Sequence, residues 1–173
     1  LIDPEGESME NLTIGDGKDW TFMHGDWNDG PDGELIPPDG FDLEYLAVRS
    51  DQSYTDFTAR YRFKFRYFCG GAARLLFRLQ DSRRFYALDI PLAGQQARVR
   101  YFWAGIVVGD GTPLQRYLSF RLIPGLCAKY DSWYEARLEA KGPRIRAWID
   151  DVLVADVEDH TYASGRLGLG SIT

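Results

Sequence analysis

A period-two alternation over residues 54–68 constrains this chain more than any other feature. The stretch YTDFTARYRFKFRYF carries mostly aromatic residues on one parity, while the other parity carries Arg60, Arg62, Lys64 and Arg66. Successive side chains of a β-strand point to opposite faces, so this alternation predicts a half-buried strand. One face then packs on a core, and the four cations face water, a neighbouring strand or a ligand.

The same alternation, or a short apolar run, recurs along the chain between turn signals. It predicts strands at residues 20–24, 44–49, 54–68, 73–80, 85–90, 97–103, 117–122, 133–140, 144–149, 152–157 and 166–172. No apolar pattern with helical spacing persists for three turns, so almost no helix is expected. About eleven short strands joined by turns predict an all-β fold, an antiparallel β-sandwich of the jelly-roll kind.

The 173 residues, 45% of them hydrophobic, are enough for one domain over residues 1–173 with a substantial core. The apolar parity of each strand predicts which side chains that core contains. These are Phe57, Tyr61, Phe63, Phe65, Leu75, Phe77, Leu88, Val99, Phe120, Leu138, Ile145 and Ile149.

Charge is distributed unevenly along the chain. Residues 1–48 contain 13 acidic residues and a single lysine, whereas residues 49–173 contain 13 acidic and 19 basic residues. An acidic, turn-rich N-terminal segment therefore accompanies a basic sheet region. The net charge of −6 disfavours nucleic acid as a partner. No run of 18 apolar residues is present, so no membrane span is expected.

The stretch WYEARLEAKGPRIRAWIDDVLVADVEDHTYASGRLGLGS, residues 133–171, resembles the closing part of laminin G-like jelly rolls in the concanavalin A-like lectin and glucanase superfamily. GAARLLFRLQDSRRFYALDI and WTFMHGDWNDGPDGEL are similar to the middle and the opening of such domains. This resemblance implies a sugar-binding module or a related sugar hydrolase domain. Such domains usually continue past GLGS into another strand, so we expect a module from a longer polypeptide.

The glucanases of that superfamily carry their carboxylates on one strand as E-x-D-x-E, a motif that this chain lacks. Glu135 and Glu139 lie four residues apart, too far along a strand to act together as a glycosidase pair. A hydrolase would need carboxylates from different strands, with Asp89 and Glu135 as the candidates. YFWAG, residues 101–105, is faintly similar to a strand of alginate lyases, but the accompanying Gln-x-His motif is absent.

A metal site is predicted in the loop GDWNDGPDGE. Its oxygen ligands, Asp26, Asn28, Asp29, Asp32 and Glu34, are of the type that calcium prefers. A structural calcium is therefore one expectation, and a set of Asp-Gly turns is the alternative. Cys69 and Cys127 can form a disulfide or remain two free thiols, and their spacing does not match a zinc site.

Arginine dominates the basic residues, with 16 arginines against 4 lysines. Like charges on neighbouring strands destabilise a sheet, so this excess needs a counter-charge, either the acidic N-terminal segment or a ligand. Arginine forks suit carboxylate, sulfate and hydroxyl oxygens, and aromatic rings provide stacking surfaces. The predicted ligand-binding residues are Arg62, Arg78, Tyr86, Asp89, Arg100, Trp103, Tyr117, Arg121, Glu135 and Trp148.

These features together favour a non-catalytic, lectin-like module that binds a polysaccharide or oligosaccharide, including an anionic one, in a sheet groove. The alternatives are a small glycoside hydrolase or lyase of the same fold, or an interaction domain with no sugar site. The expected partners are a glycan and other domains of a longer polypeptide. The expected location is extracellular or periplasmic.

Overall fold

The computed structural model describes residues 20–24, 27–30, 35–36, 45–49, 52–65, 72–93, 101–127, 129 and 132–172. Its strands are β1 (Trp20–His24), β2 (Asn28–Asp29), β3 (Leu35–Ile36), β4 (Tyr45–Arg49), β5 (Phe57–Phe63), β6 (Ala72–Asp81), β7 (Arg84–Ala93), β8 (Tyr101–Asp110), β9 (Gln115–Cys127), β10 (Tyr134–Lys141), β11 (Arg144–Ile149), β12 (Val152–Glu158) and β13 (Arg166–Ile172). The described residues contain no helix, and so none that could span a membrane. The all-β prediction is confirmed.

Two antiparallel sheets form the sandwich. The seven-stranded sheet has the order β1-β4-β13-β6-β7-β8-β9, and the four-stranded sheet has the order β12-β11-β10-β5. The short strands β2 and β3 pair separately. The eleven strands of the two main sheets match the predicted number, and non-consecutive neighbours such as β13 beside β6 are typical of a jelly roll.

The core lies between the two sheets and is formed by the apolar parity of each strand. Leu75, Phe77 and Leu88 of the larger sheet and Leu138 and Ile145 of the smaller sheet are fully buried in one cluster. The predicted core residues Tyr61, Phe63 and Ile149 are buried in the same cluster, while Phe57 and Phe65 are partly buried against it. Val99 lies outside the described residues.

One core prediction is wrong. Phe120 on β9 is 41% exposed, because β9 presents the opposite parity to the one expected. The register between β8 and β9 shifts between Ile106 and Val107, and Ser119 and Arg121 then take the positions opposite the buried residues Ile106 and Ala104. A small hydroxyl and a long arginine can occupy inward positions here because β9 is an edge strand, where a long side chain can reach out of the sandwich.

Strand β8 extends further toward the C-terminus than predicted. Tyr101–Asp110 form one ten-residue strand, whereas residues 97–103 were expected. Residues Ala104–Val108 are all buried and form a continuous apolar run without alternation, and this run makes up the middle of the observed strand. A strand buried on both faces loses the alternation on which the prediction relied.

Candidate functional site

The outward face of the seven-stranded sheet brings together the residues of the candidate site. Arg74 on β6 is opposite Asp89 on β7, Asp89 is opposite Gly105 on β8, and Gly105 is opposite Phe120 on β9. Each shares the parity that points away from the core, because its sequence neighbours Leu75, Leu88 and Ala104 lie in the core between the sheets. The strand register therefore aligns one residue from each of four neighbouring strands in a row across the outward face of the sheet.

Arg74 and Asp89 form a buried ion pair at the start of this row. Arg74 Nε donates to Asp89 Oδ1 at 3.3 Å, and Arg74 Nη2 donates to Asp89 Oδ2 at 3.2 Å. The two residues are only 4% and 2% exposed. Two buried charges need both a partner and additional hydrogen bonds to offset their desolvation, and this pair has both.

Two residues of β9 add hydrogen bonds to the pair. The Tyr117 hydroxyl donates to Asp89 Oδ2 at 2.8 Å. Gln115 Oε1 accepts from Arg74 Nη2 at 3.0 Å. Burial, and then the negative charge of Asp89, raise the pKa of Tyr117 to about 12. The phenol is protonated at neutral pH, as an ordinary tyrosine is, and the shift extends that state to higher pH.

A partly exposed aromatic cluster adjoins this polar group. Trp103 stacks on Phe120 with ring centroids 5.1 Å apart, and the Tyr117 ring lies 4.5 Å from Phe120. Tyr117 is 46% exposed and Phe120 is 41% exposed, with Leu122 beside them on the same edge strand. We call Arg74, Asp89, Trp103, Gln115, Tyr117 and Phe120 the sheet-face site. It combines solvent-accessible rings with a fixed set of hydrogen-bonding groups.

Sequence reasoning missed three members of this site. Phe120 was assigned to the core, while Arg74 and Gln115 were not among the predicted ligand-binding residues. The alternation of β6 and β7 places both Arg74 and Asp89 on the outward parity, so a correct pairing of those strands could have found Arg74. Gln115 is the first residue of β9, just after the turn that includes Leu114, and no pattern in the sequence indicates its contact with Arg74.

Arg78 lies in the interior rather than in a groove, so its placement as a ligand-binding residue is wrong. It is 1% exposed and donates to the carbonyl oxygens of Thr55, Tyr162 and Gly142 at 2.8–3.3 Å. Its φ of 45° interrupts the alternation of β6 and turns the side chain inward. Tyr86 is also fully buried, where it donates to Asp159 Oδ1 at 2.5 Å and cannot serve as a stacking surface.

Arg62, Glu135 and Trp148 belong to the outward face of the four-stranded sheet. The proposed catalytic pair of Asp89 and Glu135 is therefore wrong, because the two side chains point away from each other on opposite sheets. Stacked sheets lie about 10 Å apart, which already exceeds the separation of a retaining pair. Glu135 instead lies 3.5 Å from Arg60 in an exposed ion pair.

Arg121 closes an edge of the sandwich. Its guanidinium donates to Val154 O at 3.2 Å and to Leu153 O at 2.5 Å, and so connects edge strand β9 to edge strand β12. Arg100 lies outside the described residues. The described arginines among the predicted ligand-binding residues, Arg62, Arg78 and Arg121, thus do not share one groove, since they occupy three different regions.

Of the predicted calcium ligands, Asp26, Asp32 and Glu34 lie outside the described residues, while Asn28 and Asp29 form β2. Within the part of the chain that is described, no three His, Cys, Asp or Glu side chains converge on a metal position. The calcium site stays a prediction. The pairing of Cys69 with Cys127 also stays open, because Cys69 lies outside the described residues.

Comparison with protein families decides the relationship. Residues 9–171 match the model of the 3-keto-alpha-glucoside-1,2-lyase-like domain. The chain belongs to this family. It is also 26% identical over 168 residues to a levanase of Bacillus subtilis (strain 168), and it spans 21% of the length of that protein.

Solved structures share the fold of this family member. A carbohydrate-binding module, CBM66 from Bacillus subtilis, superposes with a TM-score of 0.69 at 21% identity over 95% of both chains. A Crh5 transglycosylase in complex with NAG gives a TM-score of 0.64 at 15% identity over 90% of this chain and 64% of that one. A Bacillus licheniformis beta-glucanase gives 0.51 at 13% identity over 75% and 57%. The jelly roll expected from the sequence resemblance is confirmed.

Proposed function

We propose that this domain binds a neutral or anionic carbohydrate at the sheet-face site. The observation that carries the proposal is the aromatic cluster of partly buried Trp103 with exposed Tyr117 and Phe120, next to the buried ion pair of Arg74 and Asp89. Exposed aromatic rings present apolar faces on which the C–H faces of a sugar ring can pack. The adjacent polar groups are held in fixed positions and can orient hydroxyl groups, as ligand sites generally require.

The relatives support a sugar as the ligand. One matching protein is a levanase, another is a carbohydrate-binding module, and a third is a transglycosylase seen with NAG. Because these similar proteins are named for sugar binding or sugar processing, we propose that the domain acts within a longer polypeptide that binds or processes a glycan. An extracellular or periplasmic location remains the expectation for such a protein.

Turnover of the sugar is the second candidate, favoured by the lyase-like description of the family. The sheet-face site gives it less support than binding. Both oxygens of Asp89 accept hydrogen bonds from Arg74 or Tyr117. With its pKa raised to about 12, Tyr117 is a poor general base at neutral pH.

The experiment is calorimetric titration of the wild type and the Phe120→Ala variant. The ligands are levan, β-glucan and N-acetylglucosamine oligosaccharides. Removing an exposed stacking ring should weaken binding by about two- to tenfold, since aromatic contacts contribute about 0.5–1.5 kcal/mol beyond area burial. Melting temperature should change little, because Phe120 lies outside the core.

Leu114→Ala is the matched control, since Leu114 is an 81% exposed apolar side chain on the turn before β9. Equal affinities of Phe120→Ala and wild type would show that the ring cluster is not the binding surface. Chromatography of each glycan after incubation with the protein tests turnover, and new sugar products would favour the enzyme.

A further inference from the structure

Arg74 fixes the orientation of the Gln115 side-chain amide. A guanidinium carries only donors, so the amide atom that contacts Arg74 Nη2 at 3.0 Å must be the carbonyl oxygen Oε1. The Nε2 group of the same amide then points away from Arg74. Gln115 is exposed, so this group offers its N–H donors toward solvent at the sheet-face site.

Asp89 fixes the Tyr117 hydroxyl in the complementary way. A carboxylate accepts hydrogen bonds only, so the phenolic hydrogen points to Asp89 Oδ2 at 2.8 Å. The lone pairs of the phenolic oxygen remain available as acceptors. The buried ion pair thus orients Gln115 so that it offers hydrogen-bond donors to a ligand, and it orients Tyr117 so that it offers an acceptor.

We infer that Gln115 and Tyr117 form a donor–acceptor pair that selects an uncharged sugar unit by its hydroxyl groups. Gln115 Nε2 donates to one sugar oxygen, and Tyr117 Oη accepts from a sugar hydroxyl, while the rings of Phe120 and Trp103 support the sugar. Hydroxyls serve as both donors and acceptors, whereas a carboxylate or sulfate serves only as an acceptor. The inference rests on the proposed function and narrows its ligand class.

The charges of the site agree with this selection. The positive charge of Arg74 is directed at Asp89 by two hydrogen bonds, so these two formal charges cancel locally. An anionic sugar would bring a charge for which this neutral pair offers no free counter-charge, so the desolvation of that charge would not be offset. The affinity for a neutral glycan should also change little with salt concentration, since dissolved ions screen only interactions between charged groups.

The test compares two conservative variants of the pair. Gln115→Glu keeps an oxygen for Arg74 but removes both N–H donors, and Tyr117→Phe keeps the ring but removes the acceptor. Each should lower the affinity for the neutral glycan that the wild type binds by about tenfold. Gln52→Glu makes the same chemical change on an exposed glutamine before β5 and should bind like the wild type.

Titrations use levan, β-glucan, N-acetylglucosamine oligosaccharides and alginate at low and high salt. Loss of affinity in both variants, with salt-independent binding and no alginate binding, supports the inference. If Phe120→Ala weakens binding but the two conservative variants do not, the binding proposal stands and the donor–acceptor pair is refuted. Stronger binding of alginate than of neutral glycans also refutes it. Absence of binding to all four glycans refutes both proposals.

A circular dichroism melt of each variant confirms folding, and the exposed Gln115 keeps the test valid if Tyr117→Phe is unstable.

Discussion

Replacing Arg78 should destabilise the fold far more than replacing an exposed arginine. The Arg78 guanidinium donates twice to Thr55 O and once each to Tyr162 O and Gly142 O, so it connects three separate loops. Arg78→Met retains most of the stem but leaves these carbonyls without the donor. A hydrogen bond from a charged donor contributes about 1.5–3 kcal/mol, and strained or shared bonds contribute less. We expect a loss of about 3–5 kcal/mol in the free energy of unfolding.

Urea denaturation followed by circular dichroism measures this loss. The matched control is Arg144→Met, which removes an exposed pair with Asp156 and should change the stability little, because solvent screens such a pair. Arg78→Lys should recover only part of the stability, because one ammonium group cannot reach three carbonyls arranged around a planar fork. An Arg78→Met protein within about 1 kcal/mol of wild type would show that water or relaxed loops replace the guanidinium, and the reasoning would fail.

Two further predictions concern pH and metal. Burial would raise the pKa of Asp159, but hydrogen bonds from Thr161, Tyr86 and Arg116 outweigh it and lower the pKa to about 2 from 3.8. A lowered carboxyl pKa contributes stability that is present above about pH 4 and is lost as pH falls toward 2. The free energy of unfolding of the Asp159→Asn variant should therefore depend less on pH between about 4 and 2 than that of the wild type. For the predicted calcium site in residues 26–34, excess chelator should lower the melting temperature of the purified protein, because a bound metal stabilises only the folded state. An unchanged melt, with no calcium found by mass spectrometry, would remove that site.

Strand positions followed from the sequence because most strands bury only one face. The prediction for residues 144–149 matches β11 at both ends, and the observed burial of β11 alternates without interruption. The errors fall where the alternation does not report on burial. Strand β8 is apolar on both parities, and β9 is an edge strand whose register shifts against β8. A pattern in one strand cannot reveal a shift that depends on its partner.

The candidate site was only partly predictable for the same reason. Asp89, Trp103 and Tyr117 were identified from residue type and parity, and the structure places all three in the sheet-face site. Their partners depend on which strands are neighbours. Arg74 meets Asp89 because β6 pairs with β7, and Gln115 meets Arg74 across β7 and β8, a contact between residues 41 positions apart.

The cations of residues 54–68 illustrate how strand pairing, rather than strand sequence, determines the role of a charge. Arg62 and Lys64 lie over the Trp133 ring at 4.8 and 4.7 Å, where the ring face attracts a cation. Arg60 is 3.5 Å from Glu135 on the neighbouring strand β10. Arg60 therefore has an acidic neighbour on its own sheet, and Arg62 and Lys64 pack on a tryptophan ring. The arginine needed at the sheet-face site is on the other sheet and is buried, so a high density of exposed arginines did not mark the site. In this chain a buried arginine lies opposite an aspartate, close to the exposed rings of Tyr117 and Phe120 on the edge strand, and this arrangement becomes visible only when the pairing of β6 to β9 is known.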